Sequence, residues 1–193
     1  MFKRFIVGII SHNDKIIIYK VGYHYANKSK KSTKSFTWYH KASLERHCKA
    51  LSQAGYMYCL GYGVSKDYKL KAFSWFYKAA NENYDEAQEQ VGYMYHYGLG
   101  VSQDYKLAMD WYQKAASNGS ANAQFNLGIM YKNGFGVAQD YKTAMDWYQK
   151  AATNGSHGAQ NSIGVMYQNG WGVSQDYKIA MDWYQKAASL MCW

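Results

Sequence analysis

His40, His47 and Cys48 are of the residue types that hold transition metals or supply a nucleophile and its base. Helical spacing separates them: His40 and His47 stand seven residues apart, about 10.5 Å along a helix axis, too far to share one ion at bonds of about 2 Å. His24 and His96 align with neither a second ligand nor a nucleophile. The acids are repeated rather than paired. Asp110, Asp146 and Asp182 each stand beside a tryptophan, and Asp67, Asp104, Asp140 and Asp176 stand where a helix should begin. An enzyme needs its catalytic groups once, so an acid copied into every unit reads as architecture. Glycines occur as G-x-G, but no G-x-x-x-x-G-K-[ST] or strand-flanked G-x-G-x-x-G follows, and a phosphate cradle is unsupported. The sequence therefore reads as non-enzymatic, with no catalytic residue, no cofactor and no metal site.

What could position residues in such copies is visible at Ala108–Ala116, Ala144–Ala152 and Ala180–Ala188, which all spell AMDWYQKAA. Trp38, Trp75, Trp111, Trp147 and Trp183 keep this register, and a G-x-x-Y precedes each, at Gly22, Gly55, Gly92, Gly128 and Gly164. Five helix pairs follow, four of them clear. In one unit, Ala123, Leu127, Met130 and Tyr131 recur at intervals of three and four, as do Ala144, Trp147, Tyr148, Ala151 and Ala152, so each set forms one helical stripe. Gly134 suits the left-handed position that ends the first helix, Gly136 lets the chain turn back, and Asp140 caps the second helix. Gly128 and the alanines are expected to let the two helices approach closely, with Trp147 and Tyr131 filling the space beside them. One pair cannot bury both faces, so its neighbours must. Proline is absent, and nothing forces a break in a helix.

Charge is uneven. Residues 1–49 hold eleven Lys or Arg against two acids, whereas residues 50–193 hold eleven Lys against eleven acids. Any anionic partner therefore concerns the amino-terminal segment, where Lys28, Lys30, Lys31 and Lys34 form a basic patch. That patch reads as a solvated loop between two imperfect helices, as a weak contact for acidic surfaces, or as a segment regulated by phosphorylation at Ser32 or Thr33. Without interleaved aromatics it does not argue for nucleic acid. Cys48, Cys59 and Cys192 cannot all pair within one chain, which fits a reduced, cytoplasmic compartment. The alternative, secretion, is opposed by the apolar run FIVGII, six residues where a signal peptide has about 7 to 15. Asn27, Asn118 and Asn154 lie in N-x-[ST] sequons that matter only in that alternative. FIVGII-SHND-KIIIYKV reads either as a hairpin or, after Lys15, as the first helix of copy one, leaving residues 1–14 open. The domain reading is thus 15–49 as a degenerate basic helix pair, 50–189 as the array, and 190–193 as an apolar end. There, Leu190, Met191 and Trp193 are expected to fold over the array or mediate self-association.

The pattern A-x-A-x-x-x-L-G-x-x-Y-x-x-G-x-G-V-x-x-D-x-x-x-A-x-x-W-Y-x-K-A-A resembles the Sel-1-like repeat, a relative of the tetratricopeptide repeat, over residues 50–189. The resemblance implies an all-α fold, a right-handed α/α superhelical solenoid of four clear repeats and one degenerate one. It also implies an adaptor or scaffold for protein complexes. The alternative it implies is a regulatory subunit that positions or activates a catalytic partner, such as a cell-wall synthase or a membrane-protein quality-control complex. Cysteine-rich relatives staple each helix pair with a disulfide, and no such cysteine pairs occur here; the first copy carries ANKSKKSTKS in place of G-x-G-V. By similarity to tetratricopeptide arrays, first helices line a concave face. Carried onto this chain, the face comprises Ser52, Tyr56 and Cys59; Glu86, Glu89, Tyr93 and His96; Phe125, Ile129 and Lys132; and Asn161, Val165 and Gln168. Tyr56, Tyr93, Ile129 and Val165 form its spine for an extended peptide or a partner helix, with Tyr93 and Phe125 as anchors. The competing reading is that these positions drifted after duplication and merely face solvent.

Overall fold

A computed structural model describes residues 33–44, 48–60 and 68–189, and every regular element among them is an α-helix. In order these are α1 (Thr33–Leu44), α2 (Cys48–Leu60), α3 (Tyr68–Asn81), α4 (Asp85–Tyr97), α5 (Tyr105–Ser117), α6 (Ala121–Asn133), α7 (Tyr141–Thr153), α8 (His157–Asn169) and α9 (Tyr177–Ser189). Helices α2, α4, α6 and α8 are first helices, and α3, α5, α7 and α9 are the second helices that pair with them; α1 carries Trp38 and is the second helix of the degenerate copy. This is an all-α repeat fold. The readings of residues 1–14, of the hairpin or helix after Lys15, and of residues 190–193 lie outside the described residues. None of the described helices is long and apolar enough to cross a membrane.

Local chemistry sets the helix ends. Asp104, Asp140 and Asp176 each accept hydrogen bonds from amides of the first turn of α5, α7 and α9, at 2.9 to 3.2 Å. Such a cap contributes about 0.5–2 kcal/mol. Asp67 lies outside the described residues. The first helices α6 and α8 also start on caps, Ser120 and Ser156, whose hydroxyls accept from Ala123 and Ala159. They end on Gly134 and Gly170, both left-handed, at φ 72° and 69°.

The described residues form two compact units. The first, running to Ala87 with Leu99–Val101, contains α1, α2 and α3. Its core holds Tyr39, Ala50, Ala54 and Met57, with Phe36 and Trp75 packed against them. The second, Gln88–Gly98 and Ser102 onward, contains most of α4 and all of α5 to α9. Its two core clusters each join a second helix to the first helix that follows it. One takes Ala108, Met109 and Tyr112 from α5 with Ala123, Leu127 and Met130 from α6; the other takes Ala144, Met145 and Tyr148 from α7 with Ala159, Ile163 and Met166 from α8. The buried residues of AMDWYQKAA in α5 and α7 are thus the inner face of these two joints.

Within a pair, the close approach at Gly128 is filled by Tyr148 rather than Trp147. A Cβ on Gly128 would come within 2.4 Å of the Tyr148 ring, and Gly92 and Gly164 stand in the same relation to Tyr112 and Tyr184. Tyr148 is fully buried, whereas Trp147 is half-buried with the Lys150 ammonium 4.3 Å above its ring. The same Lys covers Trp111 and Trp183, at 4.0 and 4.3 Å. A lysine three residues along the helix lies over the preceding ring, a cation–π contact worth about 0.5–1 kcal/mol at an exposed site. Adjacent residues point about 100° apart on a helix, so the hydroxyl-bearing ring goes inward and the indole lies at the rim at Trp147 and Trp183, whereas Trp111 is itself buried. Burial pushes the Tyr112 and Tyr148 hydroxyls well above the ordinary tyrosine range, and both stay neutral.

Candidate functional site

The loop between the two helices of a pair locks onto the pair before it. Gly136 has φ +73°, and a Cβ there would lie 2.8 Å from the backbone carbonyl carbon of Tyr105, the first residue of α5; Gly172 meets Tyr141 in the same way. Between the two loop glycines, Phe135 stacks on Tyr105 with centroids 4.9 Å apart, and Trp171 stacks on Tyr141 at 5.5 Å. A glutamine closes each loop. Gln103, Gln139 and Gln175 donate to the carbonyls of His96, Lys132 and Gln168 at 2.7 to 2.8 Å, and their amides also bond the hydroxyls of Tyr105, Tyr141 and Tyr177. These glutamines follow the glycines in three of the four clear copies, the first having Lys66 there, and that recurrence was the signal for their role.

On this framework the first-helix residues separate into three groups. In the first unit, Tyr56 is half-buried with its edge on Phe76 at 5.0 Å, Cys59 is exposed, and Glu86 accepts from the Tyr84 hydroxyl at 2.7 Å. In the second unit, Tyr93 is exposed, Ile129 and Val165 are half-buried, and Asn161 and Gln168 are exposed. Gln168 accepts from the Tyr184 hydroxyl at 2.6 Å, and Lys132 is half-buried with its ammonium 5.9 Å from the Trp171 ring. Glu89 bridges two pairs, accepting from Ser120 at 2.9 Å and Asn122 at 3.2 Å. Phe125 is half-buried, with its ring 5.7 Å from Tyr148 and against Gly158, so it serves the α7–α8 joint more than an open surface.

Two of the expected positions are not on a surface. Ser52 is fully buried on α2. His96 is buried among Tyr97, Tyr105, Tyr112 and Phe135, with ring centroids 4.5 to 6.4 Å away. It occupies the column that Lys132 and Gln168 occupy in later copies, but Phe135 from the next loop closes over it. Burial lowers its pKa below the ordinary histidine value, so it is a neutral ring near pH 7. Its Nδ1 has no hydrogen-bond partner among the described residues.

Sequence reasoning passed over Tyr97. It is more than half exposed and packs on Tyr93 with centroids 4.5 Å apart. A second aromatic four residues after the first, on one helix face, was the available signal. A polar hollow of about 470 Å³ lies elsewhere, lined by Gln124, Asp146, Gln149, Lys150, Thr153 and Asn154, none of which belongs to the expected face.

Other candidate chemistry is quiet. Desolvation by surrounding protein atoms pushes the Cys48 and Cys59 thiols up, the opposite of an activated nucleophile. The His40 ring rests edge-on against Trp75 at 5.4 Å, and His47 is outside the described residues. Asp110, Asp146 and Asp182 are exposed, as their helical phase requires. Of the basic patch, Lys34 begins α1 with Thr33, while Lys28, Lys30 and Lys31 lie outside the described residues.

Comparison with known proteins places this geometry. The Sel1 repeat model matches residues 18–47, 48–84, 85–120, 121–156 and 157–190. A Sel1 repeat protein from Oxalobacter formigenes is 35% identical with a TM-score of 0.86, over 92% of this chain and 74% of its own. A protective antigen from uropathogenic Escherichia coli strains, displaying an SLR fold, is 34% identical with a TM-score of 0.85, over 92% of this chain. This chain spans 38% of that antigen's length. A Sel1 repeat protein from Klebsiella pneumoniae shares the fold, with a TM-score of 0.60 at 17% identity over 91% of this chain and 86% of its own. No curated protein sequence matches. Sel1 repeats generally mediate protein–protein interaction and typically act without catalysis. With five matched copies spanning most of its length, the chain belongs to the Sel1 repeat family.

Proposed function

We propose that the chain is a non-enzymatic scaffold that binds a peptide or helix of another protein along its first helices. The observation that carries this reading is the exposed ring pair on α4: Tyr93 is 43% and Tyr97 54% exposed, and they pack on each other on a helix whose opposite side fills the core. Aromatic side chains held rigid by a neighbour lose little entropy on binding and make good anchors. In the second unit the half-buried aliphatic groups Ile129 and Val165 offer apolar contact, and the exposed Asn161 and Gln168 offer hydrogen bonds. Cys48 and Cys59 are reduced thiols, which supports a reduced, cytoplasmic setting.

The test is affinity purification with the full chain, comparing Tyr93→Ala/Tyr97→Ala with Asp110→Ala/Gln113→Ala on the exposed face of α5. Selective loss of co-purifying proteins from the tyrosine variant is expected. Equal recovery by both variants would remove the first-helix face as the binding surface.

A further inference from the structure

We infer that the Tyr93–Tyr97 ring pair, with the Glu89 carboxylate beside it, is a cation-binding site that takes one Lys or Arg side chain of a partner segment. This rests on the first-helix binding surface proposed above and names the chemistry of its occupant.

Glu89, Tyr93 and Tyr97 follow one another at intervals of four on α4, so they form one row with steps of about 6 Å along the axis. All three belong, with α5, to the second unit. The two rings pack with their planes inclined at 50°, and both remain exposed. An open aromatic face attracts a cation through the negative pole of its quadrupole. Glu89 adds a full negative charge to the row. Its carboxylate is held by Ser120 and Asn122, which donate to separate oxygens at 2.9 and 3.2 Å. Both donors are neutral, so they orient the carboxylate without cancelling its charge.

A fourth group adjoins the row. The Tyr112 ring lies across Gly92, and its hydroxyl oxygen is buried with no hydrogen-bond partner among the described residues. Burial first, and then the negative forms of Tyr97, Glu89 and Tyr93, push that hydroxyl above the ordinary tyrosine range, so the four groups share one electrostatic neighbourhood. A neutral hydroxyl offers lone pairs to an N–H donor, and leaving them unused in a buried place is costly.

Charge and repetition both select a basic occupant. Helix α4 carries Asp85, Glu86 and Glu89 and no Lys or Arg, in an array that is neutral as a whole. Packing of the repeat does not account for the row. The same three positions hold Phe125, Ile129 and Asn133 in α6 and Asn161, Val165 and Asn169 in α8, with no acid beside exposed rings. An acidic segment would be repelled by Glu89, and a purely apolar one would gain nothing from it.

Selection of a random-peptide display library on the full chain tests this, with Glu89→Gln and Tyr93→Ala/Tyr97→Ala chains as counter-screens. Glutamine keeps an oxygen for Ser120 and an amide for Asn122, so the fold is retained, and circular dichroism verifies it. Peptides that depend on the tyrosines are expected to carry a Lys or Arg. Replacing that residue by Gln, or Glu89 by Gln, should each weaken binding at least about tenfold. Added salt should weaken binding to the natural chain more than binding to Glu89→Gln. Tyrosine-dependent peptides without Lys or Arg, or ones that bind Glu89→Gln equally well, overturn the inference and leave the binding surface standing. A library that yields no peptide dependent on the tyrosines overturns both.

Discussion

Phe135 lies flat on Tyr105, their planes within 9° and their centroids 4.9 Å apart. The first belongs to the loop of one helix pair and the second begins the second helix of the pair before it, so the stack measures how firmly successive repeats are joined. Trp171 on Tyr141 repeats it one unit later, at 11° and 5.5 Å.

A double-mutant cycle should recover this joint as a coupling. Phe135→Ala and Tyr105→Ala each lower the midpoint of urea unfolding, and together they cost less than their sum by about 0.5–1.5 kcal/mol. Additive losses would show that the rings are neighbours without being partners.

The two loop glycines should differ in cost although their φ angles match. Gly134→Ala meets only ordinary contacts, the nearest at 3.4 Å, and carries the left-handed penalty of about 1–2 kcal/mol. Gly136→Ala carries the same penalty and also drives a methyl group toward the Tyr105 backbone, 2.8 Å away, which cannot rotate aside. Chemical denaturation should therefore rank Gly136→Ala clearly below Gly134→Ala. Equal losses would mean that the second glycine is there for φ alone.

The repeat period, the aspartate caps and the left-handed Gly134 were legible in the sequence because each depends on residues close in the chain. The inward ring was not. Trp147 and Tyr148 are adjacent aromatics, and which one enters the core depends on where the partner helix places its glycine, a tertiary matter. The burial of His96 depends on Phe135, some forty residues later, and identical columns therefore hold a core residue in one copy and half-exposed or exposed groups at Lys132 and Gln168. Ser120 and Ser156 close the sequons of Asn118 and Asn154, and the hydroxyls that such a motif marks only as sequon residues cap α6 and α8. Of the expected partner face, the exposed and half-exposed positions follow from helical phase, whereas Ser52, His96 and the inward lean of Phe125 follow from packing.

Helical glycines give a second contrast. Gly128→Ala would put its methyl group 2.4 Å from the Tyr148 ring, which is fully buried and has nowhere to move, so a loss of about 1–3 kcal/mol is expected. Gly158→Ala meets only the tip of the half-buried Phe125 ring, at 3.1 Å, and gains helix propensity of about 1 kcal/mol. Thermal unfolding should show the first variant clearly destabilised and the second unchanged or slightly improved. The reverse order would place Tyr148 outside the core.

His96 should make the chain sensitive to mild acid. Its folded pKa is lowered by burial from the ordinary histidine value of 6.5, while the unfolded chain keeps that value. As pH falls through 6.5 toward the lower folded value, the unfolded state takes up a proton that the folded state does not. Stability therefore declines with falling pH across that window, and above it the group contributes no pH dependence. The rings around His96 belong to Tyr97, Tyr105, Tyr112 and Phe135, none of which carries a charge there to offset an imidazolium. His96→Gln, the residue that Gln168 supplies in the same column, removes the titrating group. Melting temperatures taken either side of that window should fall more steeply with acid for the natural chain than for His96→Gln. Parallel slopes would mean that the ring finds a proton partner, or water, on opening too little to register as unfolding.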